Sequence, residues 1–160
     1  MFLSRDNITF LPLNSSLNKT YMYSIMHLLT EEEGKLALEA ARAFAESAVK
    51  HEEVKDFEFP EIFSENRGVF VTLTQSGELR GCIGFPYPTA PLGEALREAA
   101  KAAATQDPRF YPVREEELEG ISFEVTILTQ PEILECPPEE RPKHITIGKH
   151  GLIASLGSRS

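Results

Sequence analysis

Cysteine is scarce in this chain, with only Cys82 and Cys136 among 160 residues. The two are too few and too irregularly placed for a disulfide framework or a four-cysteine zinc site, and such usage fits a reducing compartment. Basic residues are also short, 16 against 25 acidic, for a formal net charge of −9. A partner that relies on general attraction to phosphate is repelled by that balance, so nucleic acid and anionic membrane are disfavoured partners. Residues 1–26 carry Arg5 and Asp6 before any sustained apolar run, and contain neither a signal-peptide core nor a membrane span. The expectation is a soluble intracellular protein, cytoplasmic, with the nucleus open to it if the source is a eukaryote. In that setting the three glycosylation-type triplets beginning at Asn7, Asn14 and Asn18 are coincidence. Also missing are internal repeats, low-complexity tracts, a nucleophile elbow and a Ser-His-Asp arrangement.

The length suits about one domain, enough to bury roughly two-thirds of its unfolded surface. Patterned sequence begins just after Met26, and the segment before it is read as a loose extension or as upstream sequence translated from a misplaced start. The division is residues 1–29 as an N-terminal extension and residues 30–160 as the domain. Thr30 and Glu33 have capping-box spacing, followed by Leu36, Ala40, Ala43, Phe44 and Ala48 on one helical face. This predicts a helix over 30–51, with Glu31, Glu32 and Glu33 as its solvated first turn. Residues 69–74 and 79–85 are β-rich and joined by Gln75-Ser76-Gly77-Glu78, which predicts an antiparallel hairpin. Thr89 and Pro91 introduce a second helix with an apolar stripe of Leu92, Leu96, Ala99 and Ala103, stopped by Asp107-Pro108. Ile121, Phe123, Val125 and Ile127 alternate along a further strand. A last hairpin is expected from residues 144–148 and 151–156. Helices and strands do not alternate strictly, so the fold class is α+β, a mixed or antiparallel sheet with packed helices.

The chemical question sits in GELRGCIGF, residues 77–85. In a regular strand, residues two apart leave the same face about 6.5–7 Å apart. Arg80 and Cys82 are therefore expected on one face, with Leu79, Gly81 and Ile83 turned to the core. A guanidinium held near a sulfur favours thiolate, the form that acts as nucleophile, redox centre or metal ligand. Gly81 and Gly84 remove side-chain bulk, so that a ligand can approach the backbone. The plain alternative is that Cys82 is an inert apolar filler and the glycines mark tight packing. GCIG is not a phosphate loop, since it lacks the lysine and the strand-to-helix setting. Glu124, midway along an apolar strand, is a general acid or base if its face is covered and a solvated residue if it is not. Asp107, Arg109 and Phe110 either end a helix with a local ion pair or project towards Cys82 to hold an anionic ligand. His144 and His150 match no zinc spacing, so no metal is expected, and the sequence leaves the identity of any cofactor open. Cys136, ahead of two prolines, reads as an incidental loop residue.

Leu79-Arg80-Gly81-Cys82-Ile83-Gly84, followed by Asp107-Pro108-Arg109-Phe110, residues 121–131 and Ile147-Gly148-Lys149-His150-Gly151-Leu152, resembles the AMMECR domain family over about residues 30–160. The resemblance implies a compact α+β fold of two lobes. It carries no assigned reaction. It does imply a pathway shared with MEMO-type and radical-SAM proteins, and a Leu-Pro-Gln-Val segment with further helices beyond the position where this chain ends, so that residues 30–160 are read as the domain without the family's usual C-terminal portion. The leading expectation is a cleft at LRGCIG that binds a small anionic or metabolite ligand, with Cys82 doing thiol chemistry, Arg80 activating it and Glu124 assisting. The other expectation is a non-catalytic module that docks a MEMO-type partner.

Overall fold

A computed structural model describes residues 19–24, 29–54, 56–146 and 150–155. They belong to two compact units, His27–Gln130 and the pair of segments Met1–Met26 and Pro131–Ser160.

In the larger unit, helix α1 (Glu31–Lys50) begins on the expected capping box. The Glu33 amide donates to Thr30 Oγ1 at 3.2 Å and the Thr30 amide to the Glu33 carboxylate at 2.7 Å, a cap worth about 1 kcal/mol. His51 closes the helix in the left-handed conformation, φ 56°. The buried face is Ala37, Ala40, Ala41, Phe44 and Ala45, turned slightly from the predicted stripe. Strands β2 (Gly68–Gln75) and β3 (Glu78–Phe85) form the expected hairpin. Helix α2 (Leu92–Thr105) follows Pro91 and presents Leu92, Leu96, Ala99, Ala100 and Ala103 to the core. Strand β4 (Ile121–Leu128) completes an antiparallel sheet of order β3-β2-β4.

Both helices pack on one face of that sheet, α2 over β2 and β3 and α1 beside β4. Their alanine stripes let them approach each other closely. Phe44, Leu73, Leu92, Leu96, Val69 and Val71 are fully buried, and each large side chain withdrawn from water contributes about 1.5–3 kcal/mol. Phe57, Phe59 and Phe63 stack in series beside Phe44, with ring centroids 5.8 and 4.5 Å apart along the series. Arg42 ties α1 to the start of β4 by donating to the Ile121 carbonyl at 2.8 Å while its guanidinium lies over Phe123.

The smaller unit is an antiparallel sheet of order β5-β1-β6. Strand β1 (Lys19–Ser24) lies inside the stretch read as an extension, where the threonine and two tyrosines of KTYMYS favour a strand. It pairs with β5 (Glu132–Ile133) and β6 (His150–Ser155). The expected hairpin of residues 144–148 with 151–156 is therefore corrected. Pro142, with no amide hydrogen to donate to a ladder, sits at the start of a 3-10 turn over Arg141–His144, and the partner of β6 is β1. Residues 147–149 and 156 lie outside the described residues. With helices and antiparallel sheets in place, the fold class is α+β.

Candidate functional site

The site is built on a register slip. Ser76 and Gly77 both have positive φ, 53° and 83°, the geometry of a two-residue hairpin turn that follows strand twist. The turn sets Gln75 opposite Glu78 and Thr74 opposite Leu79. One step further Leu73 faces Gly81, so Arg80 is an extra residue in a β-bulge. Without it Cys82 would stand opposite Val71, on the helix-covered face. With it Cys82 stands opposite Thr72, on the other face. Strict alternation thus fails at this point. Gly81 and Ile83 face the core as expected, whereas Leu79 lies on the Thr72 and Thr74 side.

Cys82 is half-buried, and both of its backbone groups point away from β2. Its amide donates to Asp107 Oδ2 at 2.8 Å, and its carbonyl accepts from the Arg109 guanidinium at 2.9 Å. A residue whose amide and carbonyl both face outward belongs to a non-hydrogen-bonded antiparallel pair, in which side chains come closest. Accordingly Cys82 Sγ lies 3.2 Å from Thr72 Oγ1. The next residue in the same cross-strand row is Glu124 of β4.

The loop after α2 acts as a partial strand partner for the outer edge of β3. The Asp107 side chain is 2% exposed and accepts from Arg109 Nε at 2.9 Å and its terminal nitrogen at 2.6 Å. The Arg109 side-chain hydrogen bond, with those from the Cys82 and Arg109 amides, overcomes burial and lowers the Asp107 carboxyl to about 2. The Arg109 guanidinium is held above its ordinary value, first by its hydrogen bond to Asp107 and in smaller part by Cys82. Its side chain is 41% exposed and lies 5.5 Å from the half-buried Phe110 ring. Asp107, Arg109 and Cys82, distant in sequence, are thereby brought together.

Arg80 is engaged elsewhere. Its Nε and one terminal nitrogen donate to the two carboxylate oxygens of Glu117 at 2.9 and 3.1 Å, and the guanidinium also donates to the carbonyls of Tyr111 and Pro112. The Arg80 hydrogen bond, followed by that from the Arg114 amide, lowers Glu117 to about 2. Arg80, expected to activate Cys82, is instead directed by the bulge and Glu117 to the 111–112 backbone, and the guanidinium bonded to the Cys82 backbone is that of Arg109. That backbone is pinned while the Tyr111 residue is 92% exposed.

Both glycines expected to admit a ligand are filled by protein. A side chain at Gly81 would collide with the Ala103 carbonyl of α2, and one at Gly84 with the Phe70 ring and the Val69 carbonyl. Close packing accounts for them. Glu124 is exposed, so the covering that an acid-base role called for is not there. It helps to line a groove of about 460 Å³ between α1 and β4, with Leu29, Leu38, Phe123 and Ile127; neither Cys82 nor Asp107 nor Arg109 lines that groove. His150 Nδ1 accepts from the Thr146 amide at 3.1 Å. Among the described residues, no cluster of three or more His, Cys, Asp or Glu is placed to hold a metal. No helix of the described residues is long and apolar enough to cross a membrane. Thr72 and Glu117 are the participants that sequence reasoning missed. Thr72 could have been found only by placing the bulge, and Glu117 carries no local signal.

Comparison with known proteins agrees with the motif. The AMMECR1 family model matches residues 38–160. A Methanosarcina barkeri protein, Mbar_A1807, is 52% identical over 135 residues, covering 81% of this chain and 67% of its own. Protein MJ0810 of Methanocaldococcus jannaschii is 49% identical, covering 82% and 67%. The crystal structure of the uncharacterised Pyrococcus horikoshii protein PH0010 superposes with a TM-score of 0.69 at 42% identity, over 76% of this chain and 63% of that one. The chain thus spans about two thirds of the length of these relatives. With a family model matched over most of its length and relatives about half identical to it, the chain belongs to the AMMECR1 family.

Proposed function

We propose that the protein binds a small anionic or metabolite ligand at the outer edge of β3 and performs thiol chemistry there through Cys82. The observation that carries this reading is the Cys82 surroundings. A half-buried sulfur lies within 3.2 Å of a hydroxyl, and its backbone is clamped by a buried carboxylate and an arginine whose side chain is 41% exposed. A cation so placed stabilises negative charge on a ligand, and on the sulfur as it reacts. In the simplest step the thiol gives its proton to a solvent base. The sulfur then forms a bond to an electrophilic carbon, and the leaving group departs with its bonding pair. Arg80 and Glu117 act as positioning residues through the 111–112 backbone, and Phe110 supports Arg109.

Native mass spectrometry of freshly purified protein tests the ligand. The wild type is expected to retain a small-molecule mass that Arg109→Gln loses. Folded wild type that is bare, or a mass retained equally by Arg109→Gln and Cys82→Ser, would contradict the reading.

One observation favours a second reading. An aromatic residue 92% exposed on a pinned backbone suits the anchor of a protein interface, since tyrosine loses little entropy on docking. On that reading the protein is a non-catalytic module for a MEMO-type or radical-SAM pathway partner. Tyr111→Ser would then abolish capture of the partner while Cys82→Ser leaves it intact, and the reverse pattern returns the function to the thiol.

A further inference from the structure

No feature of composition or spacing singles out Thr72, yet the bulge at Arg80 brings its hydroxyl to 3.2 Å from the Cys82 sulfur. We propose that Thr72 is a positioning residue for Cys82: its hydroxyl donates a hydrogen bond to the sulfur during reaction and holds it on the sheet face away from the helices. The inference rests on the thiol reading of the site and adds to it the group that orients the nucleophile.

In the neutral pair either atom can donate. Once the sulfur loses its proton it can only accept, so the threonine must donate, and a hydrogen bond to an ionised partner is about twice as strong as a neutral one. The donor is also well held. Thr72 belongs to β2, the middle strand, paired with Cys82 on one side and Glu124 on the other. Its β-branched side chain has restricted χ1 freedom, and it is half-buried, which limits competition from water. The other polar groups around the pair are Arg109, from the loop after α2, and Glu124, one strand further along the row. Asp107 is turned to the Cys82 amide and to Arg109. The Thr72 hydroxyl is thus a neutral donor at 3.2 Å from the sulfur, beside the charged Arg109 that also interacts with Cys82.

The test is the rate of iodoacetamide labelling at Cys82, resolved by peptide mass spectrometry at one pH, for wild type, Thr72→Val and Thr72→Ser. Valine keeps the shape and removes the donor; serine keeps the donor and removes the methyl. The expected result is about a fivefold or larger loss of rate in Thr72→Val, with Thr72→Ser within about twofold of wild type and Cys136 labelling unchanged throughout. Thr72→Val equal to wild type, or both variants slowed alike, would overturn the proposal, the second outcome because it reports packing alone. Should Thr72→Val lose its folded melting transition, Thr72→Ala against Thr72→Ser makes the same comparison. Failure of the wild-type thiol to label in the folded protein would instead remove the thiol reading, and this inference with it.

Discussion

The Cys82 amide donates to the Asp107 carboxylate at 2.8 Å, and this bond closes the outer edge of β3 much as a neighbouring strand would. Asp107 also neutralises Arg109, so removing it takes the acceptor from the half-buried Cys82 amide and the carboxylate from an arginine that still donates to the Cys82 carbonyl. Asp107→Ala is expected to cost about 3 kcal/mol. Asp107→Asn keeps an acceptor for the amide and is expected to cost less. Urea unfolding of the two variants beside wild type measures both.

Asp107 and Glu117 make stability depend on acid. Their carboxyls lie at about 2 in the folded protein, against ordinary values of 3.8 and 4.5. A depressed folded value adds stability that is fully present above the unfolded value and is lost as pH falls through the folded one. The window therefore runs from about pH 4.5 down to about 2, with contributions on the order of 2 kcal/mol from Asp107 and on the order of 3 kcal/mol from Glu117. Unfolding free energies measured at about pH 5 and about pH 2.5 should fall steeply in wild type and less steeply in Glu117→Gln. Equal slopes would show that Arg80 and Glu117 do not interact as described.

Arg80→Lys keeps the charge but not the fork that meets both Glu117 oxygens and two loop carbonyls. A point charge on a flexible stem cannot reproduce that geometry. A loss of about 1–3 kcal/mol is expected, with faster amide hydrogen exchange in residues 109–113. Unchanged exchange would mean that the loop does not depend on Arg80.

Gly81→Ala places a methyl against the Ala103 carbonyl of α2. Backbone cannot yield as a flexible side chain can, so α2 must move off the sheet at a cost of about 1–3 kcal/mol or more. Thermal melting reads this directly. A variant as stable as wild type would show that the sheet and helix are not in such close approach.

The elements that could be read from the sequence were those specified locally. Thr30 and Glu33 set the start of α1 by their spacing, Ser76 and Gly77 set the hairpin turn, and Ile121 to Ile127 alternate as an edge strand against the helices. The site was less legible because its geometry depends on one extra residue. Alternation correctly turns Gly81 and Ile83 inward, but it cannot locate the bulge that displaces Arg80 and moves Cys82 opposite Thr72. Asp107, Arg109 and Phe110 could be named as candidates from the turn after α2, whereas the grip of Asp107 and Arg109 on the Cys82 backbone consists of tertiary contacts across 25 and 27 residues. The two glycines were ambiguous for the same reason. Their missing side chains leave room either for a ligand or for protein, and only packing shows that Ala103 and Phe70 occupy it.

The most direct measurement of the site is the accessibility of its sulfur in the native state. Iodoacetamide labelling of Cys82 should proceed in folded wild type at least as fast as in the urea-unfolded chain, and Arg109→Gln should slow it without lowering the labelling of Cys136. Labelling of Cys82 only after unfolding, or at a rate indifferent to Arg109, would mean that the clamp at the edge of β3 is purely structural.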